Sequence, residues 1–327
     1  MTLAENFCSV FHTAPTAVYR APARINLIGE HIDYCGGLVL PAAVSLYMNA
    51  AISPRDDDCF SIASTDVEER LTARLSEIAY RKENGWGNYV FGMIKTLANH
   101  GKTFPTGLNI LISSEIPLGS GLSSSAALLV LVAFALNDLF SLSLDARDVA
   151  LLAKECENDF CGLKSGIMDE AAIALGKEDH CLLLNCHDFT YRYFDVHLPG
   201  YTFAVLKTNK PRKLTESKYN ERVAECTRAL EILQKHYDVQ NLSQLPCEDL
   251  GQIERYLGGG TLAARVRHIV TENKRVKDFV AALGTGDIPR LGEILNASHA
   301  SLQNDYEVSG VHLDAITAAA PGAPLRL

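Results

Sequence analysis

Tryptophan occurs once in the chain, and no run of basic residues reaches five or six. With a formal net charge of −9, that shortage argues against a nucleic-acid partner, since backbone phosphates are held by clustered Lys and Arg. An anionic substrate would need local cationic groups or a metal. Long hydrophobic runs are also missing. The longest, residues 126–136, falls well short of the roughly 18 residues that cross a bilayer, so no membrane association is expected. The first residues (Met1, Thr2, Leu3, Ala4, Glu5, Asn6) carry neither the charged nor the apolar segment of a secretory signal. The cysteine total, nine, is odd, and no CxxC spacing or matching His pair accompanies it. Cys156/Cys161 and Cys181/Cys186 are too widely spaced for zinc knuckles, so reduced thiols in a cytoplasm are expected. No repeat or low-complexity tract is present.

What is there reads as a soluble globular protein of 327 residues, with 47% hydrophobic and 21% charged residues, ample for a large core or two lobes. Strand-like runs (38–52, 107–113, 181–186, 201–208) accompany helical patterns at 86–99, 123–136 and 145–160. Beyond these the pattern turns helical (214–236, 260–283, 288–303). This predicts an α+β protein with a mixed lobe over 1–195 and a helix-rich lobe over 196–327.

The strongest local signal is the loop Gly119-Ser120-Gly121-Leu122-Ser123-Ser124-Ser125, between a strand and an apolar helix. Glycine allows positive φ and close backbone approach. Serines at a helix start offer hydroxyls and free N–H groups where the macrodipole favours negative charge. This suits a phosphate cradle, or more simply a capped buried helix behind a flexible turn. It is not a Walker loop, because no Lys follows the last Gly.

This loop resembles the phosphate-binding motif of the galactokinase/homoserine kinase/mevalonate kinase/phosphomevalonate kinase superfamily. Residues 23–41, with Arg24, Glu30, His31 and Asp33, resemble galactokinases in particular. Read alone, three ionisable groups beside flexible glycines suit multidentate binding of sugar hydroxyls, a polar turn, or a metal site. The resemblance implies sugar ligands at Glu30, His31, Asp33, Gly166 and Tyr219, and a two-lobed GHMP fold whose C-terminal lobe is incomplete here. Asp169 becomes the catalytic carboxylate, with Arg24 near the transferring phosphate. An adjacent guanidinium favours the charged carboxylate, so orientation of the hydroxyl is expected to matter as much as proton removal.

Helical periodicity places Glu157 at the margin of an apolar stripe, where a carboxylate is either solvated or partly withdrawn. The resemblance makes it a magnesium ligand, partnered by Ser125. Trp86 and Tyr89 are either aromatic core or, by resemblance, contacts to adenine; Arg212 is implied near the phosphates. Where the family usually has Gln, Glu170 stands, adding a charge beside the key acid. ATP and Mg2+ are the implied cofactors, a small sugar the implied substrate, and a monomer the expected form. Asp33, Asp169 and the serine helix start are expected to converge on one cleft. Galactose could be replaced by N-acetylgalactosamine or arabinose, and a non-catalytic sugar sensor or an inactive remnant is the rival reading.

The resemblance stops after Ala318, where a helix, a glycine-rich motif and closing strands would follow. A frameshift or truncation is therefore expected, with reduced stability, an exposed sheet edge and little turnover. An uninterrupted natural reading frame ending here would overturn that.

Overall fold

The computed structural model describes residues 1–117, 119–196, 198–208 and 215–319. In chain order they form α1 (Leu3–Phe11), β1 (Ala17–Asn26), β2 (Leu38–Val39), β3 (Pro41–Pro54), β4 (Cys59–Ser64) and β5 (Leu71–Arg74). Then follow α2 (Gly87–Asn99), β6 (Leu108–Ser114), α3 (Ser124–Phe140), α4 (Ala146–Glu155), α5 (Met168–Ala174), β7 (His180–Asn185) and β8 (Tyr191–Asp195). The remainder is helical: α6 (Thr215–Leu233), α7 (Leu250–Leu257), α8 (Gly260–Thr285), α9 (Ile288–Asn304) and α10 (Val311–Ala319).

Two compact units emerge, residues 1–24 with 43–176 and residues 25–42 with 177–327. The division thus falls at three points of the chain rather than at one crossing near residue 195. The 25–42 segment is short, and its pairing with distant chain assigns it to the second unit.

The first unit is built on a five-stranded sheet of order β1-β3-β6-β4-β5, with β3/β6 and β4/β5 antiparallel and β4/β6 parallel. Strand β6 opens Leu-Asn-Ile-Leu-Ile and is buried at each of those positions, as a central strand covered on both faces should be. Helix α3 is buried without a break from Ala126 to Ala133 and again at Ala135 and Leu136, with Phe134 half-buried between them. A helix apolar all round in this way belongs inside a core. Helix α4 starts with a reciprocal cap in which Asp145 Oδ1 accepts from Asp148 N–H at 2.8 Å, supplying acceptors for first-turn donors.

The second unit contains a three-stranded sheet of order β2-β7-β8 and the helices from α6 onward. Its longest helix, α8, ends at Gly286 with φ +67°, a left-handed cap that glycine takes without steric penalty.

Three local expectations change. The run 38–52 is two strands, β2 and β3, because Leu40 pairs instead with turn backbone, its N–H donating to Ile28 O at 3.0 Å and its carbonyl accepting from Leu27 N–H at 3.1 Å. Residues 201–208 form no strand, although Tyr201, Phe203 and Val205 alternate; all three are exposed. Alternation makes a strand only where a neighbour completes the hydrogen-bond ladder, and among the described residues none does. The helix expected over 145–160 stops at Glu155 and continues as a π-helical turn, Cys156–Phe160.

Candidate functional site

That π turn decides where Glu157 points. A Cβ on Gly92 of α2 would lie 2.6 Å from Phe160 Cδ1 and 2.8 Å from Cys156 Sγ. Only glycine lets the turn pack this closely, and wide turns of this kind recur at functional positions. Glu157, expected at a stripe margin, is instead almost wholly buried, at 3% exposure. Its Oε1 accepts from Ser125 Oγ at 3.0 Å and its Oε2 from Ser165 Oγ. Burial raises its pKa and the nearby Asp169 charge adds to this, while the two serine hydroxyls act in the opposite sense. A hydroxyl and a withdrawn carboxylate are hard oxygen donors, which fits magnesium, an ion that completes its shell with water and substrate phosphate. Among the described residues no three His, Cys, Asp or Glu side chains gather as a metal cluster.

The glycine-serine loop feeds α3. Gly119 and Gly121 have φ of +67° and +82°, and Ser123 is left-handed at +57° with no cap hydrogen bond from its side chain. The hydroxyl is used elsewhere: Ser123 Oγ donates to Asp169 Oδ2. Arg24 approaches the same carboxylate as a fork, Nε to Oδ1 at 2.7 Å and Nη2 to Oδ2 at 2.9 Å. Its Nη1 donates to Gly121 O at 2.7 Å and its N–H to Leu122 O at 3.3 Å. A planar guanidinium with five fixed donors can hold loop and carboxylate together. The first-turn N–H groups of α3 have no intrahelical acceptors, so the arrangement combines a carboxylate, a cation and a helix start with N–H donors to offer. Arg24, Ser123, Ser125, Glu157 and Asp169, singled out from the sequence, are joined by these hydrogen bonds to one another or to Ser165, which was not singled out and whose only clue was its place beside Gly166. Gly166 itself is buried just before α5.

Glu170, next to Asp169, is completely buried, and among the described residues neither carboxylate oxygen has a hydrogen-bond partner. Burial first, then the Glu157 and Asp169 charges, push its pKa well above the usual carboxylate value. The raised pKa works against the extra charge expected where Glu replaces Gln. The raised folded-state pKa has a definite sign. Its stabilising contribution is complete below the ordinary value of 4.5 and is lost as pH rises toward the folded value. Glu170→Gln should remove that loss. Thermal unfolding is expected to favour the variant by several degrees at pH 8, with the gap closing toward pH 5; parallel pH slopes for both proteins would contradict this.

Trp86 sits at the N-cap of α2 and Tyr89 in its first turn, both half-buried. Arg212 lies outside the described residues.

The sugar-motif residues belong to the second unit. Glu30 Oε1 accepts from Asn26 Nδ2 at 3.1 Å. His31 is left-handed, with φ +63°. Its Nδ1 lies 3.1 Å from Tyr34 OH, which lies 2.7 Å from Tyr306 OH. The imidazole also meets the rings of Tyr219 and Tyr306, with centroids 5.7 and 5.2 Å away. Burial, then the charges of His268 and Arg222, lower the His31 pKa to about 3. A neutral ring can both donate and accept, as a sugar hydroxyl requires. Asp33 is buried in the short turn Asp33–Cys35. Tyr34 and Tyr306 were not singled out by sequence, and Tyr306 is distant in the chain.

Known proteins match both halves of this description. A family described as "GHMP kinases N terminal domain" matches residues 88–177, and one described as "Galactokinase galactose-binding signature" matches residues 5–54. A galactokinase of Clostridium beijerinckii is 40% identical over 320 residues, covering 97% of this chain and 82% of its own. One of Enterococcus faecalis is 40% identical over 324 residues, covering 98% and 84%. The crystal structure of Lactococcus lactis galactokinase complexed with galactose superposes with a TM-score of 0.91 at 40% identity, covering 97% and 82%. A mevalonate kinase structure shares the fold, with a TM-score of 0.61 at 20% identity over 93% and 84%.

Proposed function

The chain belongs to the galactokinases of the GHMP kinase superfamily, and from that premise we propose that it transfers the γ-phosphate of ATP to the C1 hydroxyl of galactose. The observation that carries the chemistry is the Asp169 carboxylate gripped by Arg24 and Ser123 at the start of α3. Two hydrogen bonds from a rigid guanidinium leave the carboxylate little rotational freedom. A carboxylate has about four acceptor positions, so it retains capacity for the attacking hydroxyl. It orients that hydroxyl and takes its proton as the new O–P bond forms and the bond from the γ-phosphorus to the bridging oxygen breaks, releasing ADP. Arg24 offsets the charge that develops on the equatorial oxygens, and the N–H groups of the loop and helix start hold the phosphates.

Ser125 and Glu157 are the residues that would hold magnesium. When bound, the ion would supply charge neutralisation for the transferring phosphate. Burial of Glu157 supports this role, because a neighbouring cation relieves the cost of its charge. Glu30, His31, Asp33 and Tyr219 are assigned to the sugar hydroxyls, Gly166 to the sugar through its backbone, and Trp86 and Tyr89 to adenine. Nine free cysteines support a reducing, cytoplasmic setting.

The test is ADP release with ATP and a sugar panel, alongside thermal shifts with galactose and ATP. Galactose is expected to give the highest kcat/KM, ahead of N-acetylgalactosamine and arabinose. Its 1-deoxy analogue should bind without being turned over. Stabilisation by galactose without ADP release would favour a sensor. No response to any sugar would defeat the assignment.

A further inference from the structure

The backbone of the loop bearing Glu30, His31 and Asp33 is held at both ends by one helix. Three donor–acceptor contacts come from α8. The Gly29 N–H donates to Glu272 Oε1 at 3.0 Å. His268 Nε2 lies 3.0 Å from Glu30 O; a carbonyl only accepts, so Nε2 carries the proton. At the far end, Leu38 N–H donates to Asn273 Oδ1 at 2.9 Å.

His268, Glu272 and Val276 follow i, i+4, i+8 spacing and therefore share one helix face. Val276 closes the set. Gly29 has φ +100°, and a Cβ there would lie 2.6 Å from Leu38 O, 2.9 Å from Val39 Cα and 3.2 Å from Val276 Cγ2. The turn is thus pressed against β2 and α8, with no room for slack.

Glu272 is the key member. It is completely buried, and its carboxylate is engaged on both oxygens. Oε1 accepts from Gly29 N–H and, at 2.7 Å, from Ser298 Oγ of α9; Oε2 accepts from Arg275 Nε at 2.6 Å. A buried carboxylate is retained only when such partners offset its desolvation. Here one of those partners is the backbone amide immediately before the first sugar-motif side chain. We infer that Glu272 is a positioning residue of the sugar subsite, setting through Gly29 the direction in which Glu30 and His31 leave the backbone. The inference deepens the assignment of Glu30, His31 and Asp33 to galactose and rests on it.

Glu272→Met keeps the volume and removes the acceptor, whereas Glu272→Gln keeps an oxygen that both Gly29 and Ser298 can use. Arg275, which is partly exposed, can then turn to water. Calorimetric titration with galactose is expected to show about tenfold or more weaker binding for Glu272→Met. The Glu272→Gln variant should bind within about threefold of the unsubstituted chain, and KM for ATP should be unchanged in both. Equal galactose affinity in a folded Glu272→Met protein would overturn the inference. So would a Glu272→Gln variant as weak as Glu272→Met, since charge rather than the Gly29 hydrogen bond would then be responsible. If Glu272→Met does not fold by circular dichroism, Ser298→Ala serves instead, with binding expected roughly two- to fivefold weaker and unchanged affinity counting against the role. Failure of the unsubstituted chain to bind galactose would remove the sugar assignment itself, and this inference with it; intact binding in every variant would remove only the role of Glu272.

Discussion

Asp169→Asn is expected to lower kcat by roughly 10³ relative to the unsubstituted chain, the scale of a lost positioned general base, while galactose and ATP still bind within a few fold. Asn has nearly the shape of Asp but only one acceptor oxygen, and it presents an N–H₂ to the Arg24 fork. Whichever way the amide turns, one of the two parallel Arg24 bonds must open. The hydroxyl nucleophile then loses both its orienting partner and its proton acceptor. The side chain is 30% exposed, so water reaches the freed groups and the fold should survive with a modest loss in Tm. Steady-state kinetics beside equilibrium galactose titration separates these effects. A fall in kcat smaller than about tenfold would remove Asp169 from the chemistry. An equal loss of galactose affinity would recast it as a binding residue.

Glu157→Gln should move activity and stability in opposite directions. Removing one of the two side chains proposed to hold magnesium is expected to raise the magnesium concentration for half-maximal rate by about tenfold or more and to lower kcat by about 10². The metal-free protein should nevertheless gain stability at neutral pH. The Glu157 pKa is raised in the folded state, so the contribution of this side chain to stability is complete only below the ordinary value, where it is protonated, and falls as pH rises. Gln keeps an acceptor for Ser125 or Ser165 without a charge to desolvate. Magnesium titrations and thermal unfolding in chelator, at pH 5 and pH 8, measure the two effects independently. A lower Tm at pH 8 for the variant would show that the hydrogen bonds to Glu157 outweigh its burial. An unchanged magnesium requirement would move the metal elsewhere.

Both predictions depend on a contrast between neighbouring residues. Asp169 and Glu170 are adjacent in sequence and equally acidic in composition, yet one is presented to Arg24 and the other is sealed into the core, where burial raises its pKa. The sequence marked Glu170 as a departure from the usual Gln. It could not reveal the outcome, because charge state depends on how much water and how many carboxylates surround the side chain.

The glycine-serine loop, the apolar helix behind it and the Glu-His-x-Asp turn were legible because they are local. Glycine permits the positive φ at Gly119 and Gly121, and helix periodicity is set within a few residues. The same locality made α2, α8 and α9 readable almost to their ends. It also misled at 201–208, where alternation without a partner gives no strand, and at 145–160, where a π turn replaces the last helical turns. Packing against Gly92 buries Glu157; contacts more than two hundred residues apart in sequence bring Glu272 to Gly29 and Tyr306 to Tyr34. Chain-local chemistry thus determined the motifs and most helices. Only the tertiary structure decided which carboxylates meet a guanidinium, which are sealed from water and which hold a loop, because desolvation and hydrogen bonding come from residues that the fold alone makes neighbours.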